Sequence, residues 1–330
     1  MKKNFFKRAS KVVLASVLSF VLLGTSNVAF ALNTYTVQKG DTLAKIGAKC
    51  GIDWKDIVKY NNIQNPDLIY AGDVLNLEPA YSQKDLNEQL VMAMDWVQTS
   101  AEYRALCYQA YNMGKMIVDQ SIANYKKGDD KPLAIVTDID ETILNNSTYD
   151  AGHIGHNDSY NETTWGQWVN AEKAKAMPGS VEFLKYAASK GVAIFYMSNR
   201  KEATGLEATI NNLKALGYPY ADKEHMSLKT DTSDKQPRRD GITKDYNVIL
   251  YMGDNANDFP IDTYHKNMQD RNALVDQNKD NFGTKFIMLP NPLYGDWEGA
   301  LSKTFYWGLN PAEKAAARKA VLDTWRPSEK

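Results

Sequence analysis

The apolar positions of this chain change rhythm several times, and each change marks a different kind of element. An unbroken apolar run, Val12 to Leu23, comes first, between the basic residues Lys2, Lys3, Lys7, Arg8 and Lys11 and the small-x-small triplet Ala29-Phe30-Ala31. A compact unit from Tyr35 to Pro79 follows. Tyr35-Thr36-Val37 reads as a short strand, and Lys39-Gly40-Asp41-Thr42 as a turn whose Asp41 or Thr42 caps the next helix. Leu43 and Ile46 have helical spacing and Gly51 closes that helix; a second helix, Trp54 to Asn61, carries Ile57 and Val58, and Tyr70 to Leu75 reads as a turn and closing strand. After a brief polar joint, Ala80 to Asp85, the residues Leu90, Met94, Trp96, Val97, Leu106, Ala110 and Met113 recur near helical spacing, which predicts two helices between Leu86 and Tyr125. The charged stretch Lys126 to Lys131 breaks that pattern as a solvated loop.

Beyond the loop, short apolar runs alternate with helical ones. The predicted strands are Leu133–Thr137, Val192–Met197, Met226–Leu228, Val248–Met252 and Phe286–Leu289; the helices include Ser180–Lys190, Glu202–Leu216 and Pro311–Thr324. This alternation predicts an α/β fold, a Rossmann-like parallel sheet covered on both faces. Ligands of such sheets bind beyond the carboxyl ends of the strands.

Composition narrows the class. The 330 residues exceed one ordinary domain; 43% are hydrophobic and 24% charged, as in soluble globular proteins. With 39 Lys plus Arg against 40 Asp plus Glu the net charge is −1, which gives no electrostatic reason to bind nucleic acid or anionic lipid. The first apolar run is shorter than the roughly 20 residues a membrane span needs. With its basic flank and Ala29-Phe30-Ala31 it reads as a signal peptide over residues 1–31, cut after Ala31, and no cysteine follows it for lipid attachment. The mature chain, with no membrane span, is expected outside the cytoplasm. Export permits a disulfide, but Cys50 and Cys107 fall in different predicted domains, and two free thiols are the simpler expectation.

The segment 34–79, with YTVQKGDTL, the Asn61-Asn62 pair and IYAGDVLNL, resembles the LysM module. That resemblance implies a small α+β domain that binds N-acetylglucosamine-containing glycans such as peptidoglycan or chitin-like polymers, in a groove between the loops near Gly40 to Thr42 and Ile63 to Tyr70.

The chemistry gathers at the predicted strand ends of 86–330. The first strand runs into Thr137-Asp138-Ile139-Asp140-Glu141-Thr142, the second into Ser198-Asn199-Arg200, the fourth into Gly253-Asp254-Asn255-Ala256-Asn257-Asp258-Phe259. Ser233-Asp234-Lys235 lies between the last two. Carboxylates leaving a buried strand two residues apart repel and desolvate each other unless a cation lies between them. An acidic, all-oxygen set suits Mg²⁺ better than zinc, and His153 and His156 have no third histidine or cysteine beside them for a zinc site.

In order and spacing, DIDET, the hydroxyl residue Ser198, Lys235 and GDNANDF resemble the four motifs of the haloacid dehalogenase superfamily. The resemblance implies a small cap insert and a reaction type set by Asp140, since phosphatases and phosphomutases carry an acid two residues after the nucleophile. It implies these roles: Asp138 attacks phosphorus to form an aspartyl-phosphate, Asp140 protonates the leaving oxygen and then activates water, and Ser198 and Lys235 hold the phosphoryl oxygens. Mg²⁺ falls to the Asp138 carboxylate, the Asp140 carbonyl, Asp254 and Asp258. Further segments, among them Trp165-Gly166-Gln167-Trp168-Val169 and Asn291-Pro292-Leu293-Tyr294-Gly295-Asp296-Trp297-Glu298, are similar to class C acid phosphatases, a family with broad phosphomonoester use that often favours nucleoside 5′-monophosphates. Two aromatics flank the substrate ring in that family; Trp165 and Tyr294 match them. Two alternatives stay open at this stage: a wall-binding protein without catalysis, and a phosphotransferase using the same intermediate.

Overall fold

The computed structural model describes residues 34–77, 81–126, 128 and 131–326. The expected signal peptide, residues 1–31, lies outside them. Among the described residues no helix is long and apolar enough to cross a membrane.

Residues 34–77 form β1 (Thr34–Thr36), α1 (Leu43–Cys50), α2 (Trp54–Tyr60) and β2 (Val74–Asn76). β1 and β2 pair antiparallel, with Tyr35 opposite Leu75. Val37, Leu43, Ile46, Ile57 and Leu75 make a small core of their own. Thr42 is the cap of α1, accepting from the Lys45 amide, while Asp41 instead accepts from the Gln38 amide and the Tyr35 hydroxyl, each at 2.8 Å. Asn61 shows why an Asn stands after α2: its amide donates to the Asn76 carbonyl at 2.9 Å and its carbonyl accepts from the Asn76 N–H at 2.7 Å, stitching helix to strand.

Three helices, not two, occupy the next stretch: α3 (Gln83–Glu88), α4 (Val91–Thr99) and α5 (Ala101–Asn124). Ser82 opens α3 in a capping box with Asp85 and Ser100 ends α4 while capping α5, whereas the break between α3 and α4, at Gln89 and Leu90, has no side-chain cap. The sequence then runs through β3 (Leu133–Thr137), β4 (Leu144–Asn145), α6 (Ser147–Ala151), α7 (Glu162–Asn170), β5 (Lys175–Ala176), α8 (Ser180–Ser189), β6 (Ala193–Lys201), α9 (Glu202–Leu216), β7 (Met226–Lys229), α10 (Gln236–Asp245), β8 (Asn247–Gly253), α11 (Met268–Gln277), β9 (Phe286–Met288), α12 (Asp296–Gly299) and α13 (Pro311–Ala320). The five predicted strands appear as β3, β6, β7, β8 and β9. β6 runs on through Ser198-Asn199-Arg200, which the sequence pattern places beyond its end, and α13 stops four residues short of the expected Thr324.

These strands form one sheet in the order β7-β6-β3-β8-β9, all parallel. β3 is buried at every position because both its faces are covered. Leu133 and Ile135 join one core with Val118, Phe183, Leu184, Ile194 and Leu250; Ala134 and Val136 join another with Val248, Tyr251, Phe259 and Phe286. Because the chain turns to opposite sides after β3, the crevice at its carboxyl end is the topological switch point of the sheet. β4 to β5 form the small insert beside that crevice.

Candidate active site

β3 delivers Asp138 to the switch point. Its backbone N–H donates to the Met252 carbonyl at 2.8 Å, which ties the residue to the end of β8. β8 ends at Gly253, where a side chain cannot be tolerated: a Cβ there would lie 2.2 Å from the Asp258 carboxylate. Asp258 therefore folds back over the strand end, its Oδ2 fixed by the Asn255 N–H at 2.8 Å. One carboxylate oxygen from each of Asp138, Asp254 and Asp258 falls within 4.8 Å of the others.

Lys235, immediately before α10, donates its ammonium to Asp138 Oδ1 and, at 2.6 Å, to Asp258 Oδ1. Thr142 Oγ1 lies 3.3 Å from Asp138 Oδ2 and 3.2 Å from Asp254 Oδ1, and Asn291 donates to Asp254 Oδ2 at 2.7 Å. Two of the three carboxylates thus share one ammonium, and Asp254 has only neutral partners. Burial, helped by Asp258, Asp254 and Asp140 and opposed by Lys235, pushes the Asp138 carboxyl well above its ordinary range. Asp254 is pushed up to about 8 by burial and then by Asp258. Burial opposes the Lys235 charge, but attraction to Asp138 and Asp258 outweighs it and raises the ammonium. Carboxyls held together at such cost are stabilised as anions by a hard cation, and an all-oxygen donor set fits a divalent ion of the Mg²⁺ or Ca²⁺ kind.

Asp140, two residues on, stands apart from this cluster. Its side chain is gripped by Arg200, with Nη2 to Oδ1 at 2.8 Å and Nε to Oδ1 at 2.9 Å, by Ser198 Oγ at 2.8 Å and by Asn146 Nδ2 at 2.9 Å. Burial would raise this carboxyl, but Arg200, with Ser198 and Asn146, wins and holds it below the ordinary range. Asn146, fully buried, is the hub. Besides Asp140 it donates to Glu141 at 2.6 Å from its backbone, and its carbonyl accepts from Trp168 Nε1 at 2.9 Å and Arg200 Nη2 at 3.4 Å. The Tyr294 hydroxyl donates to Glu141 Oε2, while the Trp165 ring lies 5.8 Å from the Arg200 guanidinium and 5.2 Å from the Tyr149 ring. The two aromatics therefore stand at opposite ends of one contact chain: Tyr294, Glu141, Asn146, Arg200, Trp165.

This order of groups, an acidic pair leaving the central strand, a hydroxyl on the next, a lysine and a second acidic pair, coincides with a known family. Residues 74–297 match the model of the HAD superfamily, subfamily IIIB (acid phosphatase), and residues 35–78 match the LysM domain. The class C acid phosphatase from Bacillus anthracis is 42% identical, covering 73% of this chain and 99% of that one, with a TM-score of 0.68. The same comparison values hold for a structure of that enzyme with tungstate bound. This chain is a class C acid phosphatase by family. Two Glycine max proteins are more distant: Stem 28 kDa glycoprotein is 29% identical over 133 residues, 37% of this chain and 51% of that protein, and Stem 31 kDa glycoprotein is 29% identical over 133 residues, 37% and 44%. The chain spans about half the length of these curated relatives.

Within this class C acid phosphatase, Asp138, Asp254, Asp258 and Lys235 come together as one cluster, and Asp140 and Ser198 form a second group beside it. Ser198 has Asp140 for a partner, and the Asp140 carboxylate is held by Arg200 and not in the cluster. Cys50 and Cys107 are both free thiols. Four residues carry the site without having been singled out for a role. Arg200 follows Ser198-Asn199 and Thr142 ends DIDET, so motif position alone could have found both. Asn291 opens the segment with Tyr294. Asn146 has no such signal, since nothing in Ile143-Leu144-Asn145-Asn146 marks one Asn as a buried hub.

Proposed function

We propose that this chain is an exported, Mg²⁺-dependent acid phosphatase that hydrolyses phosphomonoesters, nucleoside 5′-monophosphates among them, and is held on peptidoglycan by its LysM domain, residues 34–79 ahead of a catalytic domain from 86. The observation that carries the reading is the convergence of Asp138, Asp254 and Asp258 within 4.8 Å at a switch point, with Lys235 across two of them. That the Bacillus anthracis relative binds tungstate, a tetrahedral oxyanion like phosphate, supports a phosphoryl-binding reading.

Mg²⁺ would be held by Asp138, Asp254, Asp258 and the Asp140 carbonyl, and when bound it offsets carboxylate repulsion and neutralises phosphoryl charge. Asp138 Oδ forms the new bond to phosphorus as the ester P–O bond breaks. Lys235 and Ser198 hold the phosphoryl oxygens. Asp140 supplies the proton that the leaving alkoxide takes up, then accepts one from the water that cleaves the aspartyl-phosphate. Trp165 and Tyr294 flank the ring of an aromatic substrate.

The test is turnover of p-nitrophenyl phosphate by the dialysed full chain. Activity should vanish in EDTA and return with Mg²⁺; turnover indifferent to chelation contradicts the metal reading. Full chain that stays in the supernatant over insoluble peptidoglycan contradicts the glycan reading.

A further inference from the structure

The carboxyl ends of β6 and β7 open into a groove beside Asp140, between α7 and α9. Trp165, Asn199, Arg200, Lys201, Gly205 and Lys229 line it. α7 and α9 can approach this closely because position 205 is glycine; a Cβ there would lie 3.3 Å from Val169 Cγ1. One wall is aromatic, with Trp165 and, 6.3 Å from it, Tyr160. The opposite wall is cationic.

Those cations are unequally satisfied. Arg200 is neutralised by Asp140, and Lys201 pairs with Glu162 across the groove. Arg238 stands behind the wall on uncharged partners alone, the carbonyls of Ser198 at 2.8 Å and Ser227 at 3.1 Å and Asn199 Oδ1 at 2.6 Å. The side chain of Lys229, half-buried as the last residue of β7, makes no hydrogen bond or ion pair among the described residues. Burial, with Lys201 and Arg238 nearby, depresses its ammonium below the ordinary value. α9 begins at the same place with no side-chain cap on its first N–H groups. The inner part holds Glu162 with Arg200, Lys201 and Lys229, and the outer, more open part shares Glu162, Lys201 and Lys229 and adds Glu202 and Asp231. A partly desolvated lysine among other cations is offset by an anion, and a charge-assisted contact there is stronger than one in open water.

We infer that this groove receives a second phosphate of the substrate, so that the enzyme prefers nucleotides bearing two phosphates: one cleaved at Asp138, the other held by Lys229. The groove reaches the reaction centre through one residue, Arg200, whose guanidinium touches Asp140 on one side and Trp165 on the other. A nucleotide is the class that matches a phosphate site, an aromatic wall and a second cationic site in sequence.

The inference rests on the phosphatase reading, and one kinetic panel separates the two. With Mg²⁺, release of inorganic phosphate is measured from p-nitrophenyl phosphate, adenosine 5′-monophosphate and adenosine 3′,5′-bisphosphate. The wild type should show a kcat/KM for the bisphosphate about tenfold above that for the monophosphate, the scale of one charge-assisted contact. Lys229→Gln should bring that ratio close to one, chiefly through KM, and Lys229→Arg should keep it. A wild-type ratio near one, or a ratio unchanged in Lys229→Gln, overturns the second-phosphate site while leaving the phosphatase reading intact. Failure to turn over any of the three substrates brings down both.

Discussion

The two halves of the sheet's carboxyl edge carry opposite charge. At β3 and β8, Asp138, Asp254 and Asp258 crowd around one lysine, and burial drives Asp138 and Asp254 toward their neutral forms. At β6 and β7, Arg200, Lys201, Lys229 and Arg238 gather around few acids, and burial works against Lys229 and Arg238 instead. Asp140, two residues after Asp138, turns its carboxylate to Arg200 in the basic half. The contrast teaches that neither half is arranged for the stability of the unliganded chain. On the proposed reading, each half carries an excess of one charge that a ligand offsets: a cation for one half, phosphate oxygens for the other.

The comparison breaks most severely at Asp254. Asp254→Asn removes one cation ligand and should lower kcat/KM for p-nitrophenyl phosphate by about 100-fold or more, since a metal contributes several kcal/mol of charge stabilisation. The sign for stability is opposite. The folded carboxyl lies at about 8 against 3.8 unfolded, so the native state is penalised as pH rises above about 4, fully so above 8. In EDTA at pH 8 the variant should therefore melt higher than wild type; equal activity, or a lower Tm there, counts against the cluster's assignment.

On the basic side the effect is smaller and selective. Trp165→Ala should reduce kcat/KM for adenosine 5′-monophosphate roughly tenfold, the scale of one base–aromatic stack, and p-nitrophenyl phosphate far less. Equal losses on both substrates would place Trp165 in packing with Tyr149 and Arg200 rather than on the substrate.

The smallest expected change sharpens the border. Asp150, on α6, has a buried Oδ2 without a hydrogen-bond partner, and its carboxyl is pushed up to about 7 by burial and by Asp140. The penalty on its ionised form starts above about 4 and is complete above 7. Asp150→Asn should raise Tm by roughly 3 °C at pH 8 and leave it unchanged at pH 4, as read by calorimetry. A gain that is the same at both pH values points to packing instead.

Much of this was legible in the residues. The alternation of apolar strands and helices after residue 131 gives the parallel sheet, because strands covered on both faces must be apolar throughout, as Leu133–Thr137 is. The acidic pairs at two strand ends mark the cluster because they recur in order with Ser198 and Lys235, although one of them, Asp258, also serves a capping box with Asn255. Helix boundaries set by single caps were harder: Ser82 starts α3 and Ser100 separates α4 from α5, local hydrogen-bonding events that hydrophobic spacing does not register. Hardest was the hub. Asn146 matters through partners 22 and 54 residues away, Trp168 and Arg200, and long-range pairing of that kind leaves no trace in a local pattern. Ser198 and Asp140 were recognisable as chemistry, yet their contact with each other comes from adjacent parallel strands and not from spacing along the chain.

The central claim is that the Asp138 carboxylate forms the bond to phosphorus. Turnover of p-nitrophenyl phosphate by Asp138→Asn in saturating Mg²⁺, with Tm measured alongside to show the fold retained, tests it most directly. The account predicts a loss beyond about 1,000-fold in kcat, as expected when the group that bonds to the substrate is removed. A folded variant that keeps about a tenth of wild-type turnover would contradict it.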